Sequence, residues 1–150
     1  MPERFELEYT APDGSKKRPV MIHRVCFGSI ERFIGILIEH FAGAFPVWLS
    51  PVQVKVLPIS EKFADYAYSV AAALDAEGIR VETDHRAEKI GYKIREARNE
   101  RTPYIIVVGE KDQEANMVSL RSRKNGEEGQ VALADFIARI KEEIETKVLD

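Results

Sequence analysis

The chain has 150 residues, of which 45% are apolar and 31% charged, with a formal net charge of −3. That balance fits one compact domain, or one domain with a short appendage, and it excludes a disordered chain and argues against a protein that is basic throughout. A single cysteine, Cys26, excludes an internal disulfide framework, and no apolar run is long enough to cross a bilayer or to form a signal peptide, so a cytoplasmic location with no membrane partner is expected.

In chain order, Phe5, Leu7 and Tyr9 alternate, the turn Asp13-Gly14-Ser15 follows, and an apolar run occupies 20–27. This pattern predicts an antiparallel hairpin with a long loop. Cys26, between Val25 and Phe27, reads as a small core residue. Ser29 is a good N-cap for a helix that carries Ile30, Phe33, Ile34, Leu37, Ile38 and Phe41 as one stripe and stops at Gly43. Residues 44–51, with Phe45, Pro46, Trp48 and Pro51, read as a tightly packed linker.

Beyond the linker the elements alternate. Strand 52–57 is followed by a helix over 60–76 that ends at Gly78. Strand 79–83 precedes a helix that begins at Asp84 or His85. Residues 104–108 form a continuous apolar strand, the mark of burial on both faces. A strand over 118–123, a turn at Asn125-Gly126 and an amphipathic helix over 131–147 complete the chain. The order β-α-β-α-β-β-α predicts an α/β fold: a mixed, mostly parallel sheet flanked by helices on both faces, preceded by the hairpin and first helix.

Charge is uneven. Residues 86–101 hold six Lys/Arg against three Glu, a net of +3. Residues 117–124 hold Arg121, Arg123 and Lys124 with no acid, and residues 127–150 net −4. Lys89 and Lys93 are four apart on a helix, with Arg86 one turn earlier and Tyr92 between them. Arg121 and Arg123 share one face of a strand. Side-by-side guanidiniums call for an anion, a base edge, or glutamates of a nearby helix. Glycine-rich phosphate loops and paired metal-ligand motifs are absent, and His23, His40 and His85 lie in different elements. From periodicity and charge the reading is an α/β domain with two basic strips and no self-sufficient catalytic constellation.

Residues 18–33, RPVMIHRVCFGSIERF, run as strand into helix, and the pattern continues through 34–54, at Glu88-Lys-Ile-Gly-Tyr-Lys-Ile-Arg95 and at Pro103-Tyr-Ile-Ile-Val-Val-Gly-Glu-Lys111. Over essentially its whole length the chain resembles the class II aminoacyl-tRNA synthetases, the threonyl-tRNA synthetases in particular. Gly28, Glu31 and Arg32 match the third class II signature. The resemblance implies that residues 1–48 are the end of a catalytic domain and residues 49–150 an anticodon-binding domain. In the family Arg32 contacts the ATP phosphates, Ser29 lines the threonine and ATP pocket, and His23 is one of three zinc ligands. ATP and zinc thus belong to the full-length enzyme. No cofactor and no catalysis are expected of these 150 residues, which lack the first two signatures and the other zinc ligands.

The implied partner is the anticodon loop of threonine tRNA, not DNA, within a family whose full-length members are homodimeric. Threonine anticodons end in G-U. Arg121 resembles the strand arginine that reads the central guanine, a natural bidentate pair. Arg101, Glu88, Asp112 and Arg123 sit at or beside positions that contact the loop in the family, and Arg86 and Lys89 of the first basic strip join them as candidate RNA-binding residues. The family often has Glu at Asp112 and Asn at Ala87, so reach is shortened at the first and a hydrogen bond lost at the second. The alternative is a non-catalytic oligomerisation or accessory module on the same fold.

Overall fold

The computed structural model describes residues 1–149. The chain divides into two compact units, Met1–Gly35 and Ile36–Asp150, whereas the sequence places the boundary between 48 and 49.

In the first unit, β1 (Tyr9–Thr10) pairs antiparallel with β2 (Lys16–Lys17). The turn is held by Asp13, whose carboxylate accepts from the Ser15 N–H at 3.0 Å and from its hydroxyl at 2.6 Å. The ladder is much shorter than the expected hairpin. Residues 20–27 form no strand, and Val20 and Ile22 are 88% and 85% exposed. A two-stranded ribbon is marginal by itself, and a strand sequence without sheet neighbours has nothing to pair with. Cys26 is exposed for the same reason, not buried as the sequence suggests.

Helix α1 (Ile30–Phe41) crosses the division between the units and has no buried residue. It begins at the predicted cap: the Ser29 hydroxyl oxygen accepts the Arg32 N–H at 3.3 Å. Gly43, at φ +74°, stops it and donates its N–H to the Ile38 carbonyl.

The second unit is a five-stranded sheet between helices. Its strands are β3 (Val54–Pro58), β4 (Val81–Thr83), β5 (Tyr104–Val108), β6 (Met117–Ser122) and β7 (Gly126–Ala132), in the order β4-β3-β5-β6-β7. β3 runs parallel to β4 and β5, while β5–β6 and β6–β7 are antiparallel. The sheet is mixed, as expected, with two parallel pairings among four because β7 adds an antiparallel one.

Side-chain alternation splits β5 between two cores. Tyr104, Ile106 and Val108 pack with Val54, Val56, Val118 and Leu120 against α2 (Ala64–Ala76) and α5 (Leu133–Thr146). Ile105 and Val107 pack with Leu57 against Ala97, Ile90 and Ile94 of α3 (Ile90–Asn99) on the opposite face. Every residue of β3 and β5 is buried, the outcome their apolar runs predict.

Three helix starts differ from the sequence reading. A 3₁₀ turn over Glu61–Phe63 precedes α2. α3 starts at Ile90, not at 84 or 85, because the Asp84 carboxylate accepts the Arg86 N–H at 3.0 Å and closes a turn that competes with helix. α5 starts at Leu133 because 126–132 is strand. A short helix, α4 (Glu110–Ala115), follows β5.

Candidate nucleic-acid interface

On the α3 face of the sheet a cleft of about 100 Å³ is lined by Ile94, Arg98, Arg101, Ile105, Arg121 and Arg123. Two elements bring the arginines together. Arg98 lies in the last turn of α3 and Arg101 just beyond it. Arg121 stands opposite Ile105 in the β5–β6 register, which points it to the α3 side, while Val118, Leu120 and Ser122 are buried on the other. The register of β6 with β7 slips between Leu120 and Arg121. Such bulges re-aim side chains; this one sets Arg121 opposite Glu127. The two basic strips of the sequence therefore meet here, through Arg98 and Arg101 of one and Arg121 and Arg123 of the other. Arg98 was not among the expected contacts. Its position in the net-positive 86–101 segment was the available signal.

The four guanidiniums are not equally committed. Arg121 pairs with Glu127 at 2.6 Å, and that glutamate side chain is 68% exposed. Arg123 donates from Nη1 to the Arg101 carbonyl and from Nη2 to the Phe45 carbonyl, both at 2.9 Å. The cleft floor is apolar, from Ile94 and Ile105, and its mouth is cationic. A splayed base can stack over such a floor while its edge or phosphate meets arginine.

The other candidates lie elsewhere. A second cleft, of about 540 Å³, opens at the carboxyl ends of β3 and β4 and includes Pro58, Tyr68, His85, Arg86, Glu88 and Lys93. Arg86 grips Asp84 bidentately, Nε to Oδ1 at 2.9 Å and Nη2 to Oδ2 at 2.7 Å, and also pairs with Glu96. These hydrogen bonds hold the Asp84 carboxyl down at about 2 and push the Arg86 guanidinium higher still. Lys93 is buried, with Nζ at 3.0 Å from the Asp84 carbonyl and 3.5 Å from that of Pro58. It ties two strand ends together and does not extend an exposed basic strip. Lys89 and Glu88 are exposed ahead of α3. His85 stacks on Tyr68 with centroids 4.0 Å apart.

Asp112 faces inward. It is buried, and its carboxylate accepts from the Gly109 N–H at 3.0 Å, the Ser119 hydroxyl at 2.8 Å and the Gln130 amide at 2.8 Å. It braces α4 against β6 and β7.

In the first unit, the Ser29 hydroxyl donates to Glu31 at 3.0 Å, which with the Arg32 N–H engages it in the helix cap. His23 is exposed. Among the described residues, no three His, Cys, Asp or Glu side chains are grouped to hold a metal ion, so the residues present do not fit a zinc site.

The family model described as "Anticodon binding domain" matches residues 53–143, the whole span of the sheet. The chain belongs to the anticodon-binding domain family. It is 63% identical over 147 residues to the threonine–tRNA ligase of Acetivibrio thermocellus and 62% identical over 149 residues to that of Caldanaerobacter subterraneus subsp. tengcongensis, covering 98% and 99% of this chain. It spans 23% of the length of each of those relatives. Among solved structures, it is similar to the RNA-binding domain of threonyl-tRNA synthetase from Cryptosporidium parvum, with a TM-score of 0.72 and 39% identity over 94% of this chain and 36% of that one. Histidyl-tRNA synthetase from Nostoc shares the fold, with a TM-score of 0.59 and 24% identity over 74% of this chain and 28% of that one.

Proposed function

We propose that this chain recognises the anticodon loop of threonine tRNA as part of a threonine–tRNA ligase, a cytoplasmic enzyme that uses ATP to attach threonine to its tRNA. The observation that carries the reading is the four-arginine cleft of Arg98, Arg101, Arg121 and Arg123 on an otherwise acidic domain of the anticodon-binding family. Arg121 is the reader of the central guanine, and Arg98 and Arg101 hold the loop backbone. Glu88 and Lys89, exposed ahead of α3, meet the loop at its periphery, while Arg86 stays on Asp84 and Glu96 and shapes the second cleft. Ser29, Arg32 and His23 act only in the whole ligase, on ATP, threonine and zinc. The 150-residue chain binds RNA and does not form threonyl adenylate.

The test is a titration with a threonine anticodon stem-loop beside one whose central G is replaced, at two salt concentrations. Tighter cognate binding that weakens with salt supports the reading, because phosphate contacts release counterions and base contacts discriminate. Equal binding to both loops, or none, overturns it. A second reading, self-association, is favoured by the uncovered apolar side chains Ile30, Ile34 and Ile38 of α1. A monomer by sizing at micromolar concentration removes it.

A further inference from the structure

Helix α3 ends in a motif that ordinarily takes glycine. The Thr102 N–H reaches back to the Ala97 carbonyl at 3.2 Å, and the Arg101 N–H to the Arg98 carbonyl at 3.1 Å. These are the two bonds of a Schellman cap, whose pivot residue is left-handed. The pivot is Arg101, at φ +62°. After α2 and α4 the left-handed positions hold Gly78 and Asn116, residues that suit them. Ala42 and Lys147 are also left-handed after helices. Arg101 differs in that another residue's side chain holds its carbonyl and Arg101 itself lines the arginine cleft.

That other residue is Arg123. One guanidinium nitrogen bonds the Arg101 carbonyl and another the Phe45 carbonyl, and the Arg123 N–H donates to the Pro103 carbonyl at 2.8 Å. The strained pivot is thus bracketed by Arg123 from a neighbouring strand end. Charge-assisted bonds of this kind are strong and directional. A strained backbone that persists under such bracing is where function is to be sought.

We infer that Arg123 is a positioning residue: it serves RNA binding through Arg101, by locking the left-handed turn that aims the Arg101 guanidinium into the cleft, and does not itself touch RNA. The inference rests on the anticodon-loop reading above and reassigns Arg123 within it.

The test is a double-mutant cycle on the 150-residue chain with Arg101→Gly, Arg123→Ala, Arg123→Lys and the Arg101→Gly/Arg123→Ala pair. Each is titrated with the threonine anticodon stem-loop at two salt concentrations and melted without RNA. Arg101→Gly keeps or raises the melting temperature, since glycine suits the pivot, yet weakens RNA binding about tenfold through loss of the guanidinium. Arg123→Ala lowers the melting temperature and weakens binding by a similar factor. Arg123→Lys, which can hold one carbonyl but not fork to two, falls between. The double variant binds no more weakly than Arg101→Gly alone, and the fall in melting temperature caused by Arg123→Ala shrinks once residue 101 is glycine.

Losses that multiply in the double variant, with a shallower salt dependence whenever Arg123 is removed, would show direct contact and overturn the inference alone. So would an Arg101→Gly protein with unchanged affinity. Failure of the unmodified chain to bind overturns the anticodon reading and the inference with it.

Discussion

Arg121 and Arg86 carry the same charge but stand in different company. Arg86 is held by a buried carboxylate and by Glu96, so moving it onto a ligand would strand Asp84. Among the described residues Arg121 pairs only with an exposed glutamate, and such surface pairs contribute little and exchange readily. Arg121→Ala therefore weakens the cognate stem-loop by about 1–3 kcal/mol more than the loop with its central G replaced, the range for one bidentate base contact. Equal losses on both loops in the same titration would demote Arg121 to a phosphate contact. Glu127→Gln removes the competitor and tightens both loops, an effect that fades at high salt. On the acid side of the stability curve, Asp84 and Glu128 stand out: their carboxyls are both held at about 2, by hydrogen bonds from Arg86 and Arg139 respectively. A lowered folded-state pKa contributes stability that is full above the unfolded value near 4 and is lost as pH falls toward the folded value. Melting temperatures measured from pH 5 to pH 2 should fall across that window, and less steeply in Asp84→Asn and in Glu128→Gln, each compared with its own value at pH 5.

At the scale of elements, Asp112 is the brace whose loss should spread farthest. Asp112→Ala leaves the Gly109 N–H, the Ser119 hydroxyl and the Gln130 amide without their shared acceptor. The expected cost is about 1–3 kcal/mol in urea denaturation, the range for orphaned buried donors, and a variant as stable as the original would refute the brace. The same residue shows why part of the fold could be read from the sequence and part could not. β3, β5, α2 and α5 announce themselves through apolar runs or stripes, since each buries a face of its own. α4, with the sequence EKDQEA, has no apolar stripe and exists because Asp112 caps it and Asn116 turns left-handed after it. β7, with the sequence GEEGQVA, offers two glycines and two glutamates, and only its pairing with β6 makes it a strand. The hairpin over 4–27 erred in the other direction, with strand-like residues that find no sheet in this chain. In the candidate site, the basic strips and the shared face of Arg121 and Arg123 were legible from spacing. The inward turn of Asp112, the burial of Lys93 and the left-handed pivot at Arg101 depend on partners 35 or fewer residues away in sequence but fixed only by the tertiary fold.

Across the whole molecule, the arginine cleft lies within the Ile36–Asp150 unit, while the chain as a whole is net negative. Binding to RNA must therefore come from a local field that operates within about 10 Å at 0.1 M salt, not from overall attraction. Residues 1–28 carry five Lys/Arg and four Asp/Glu, so their removal takes the net charge from −3 only to −4 and leaves the Ser29 cap of α1 in place. A chain of residues 29–150 should bind the threonine anticodon stem-loop with the affinity of the 150-residue chain, to within about a factor of two. Its salt dependence should also match. For single-stranded RNA, log K falls with log salt by about 0.7 for each phosphate neutralised, so two to four phosphate contacts give a slope between about −1 and −3 in both chains. A slope that flattens on removal of residues 1–28 would place phosphate contacts on Arg4, Lys16, Lys17, Arg18 or Arg24.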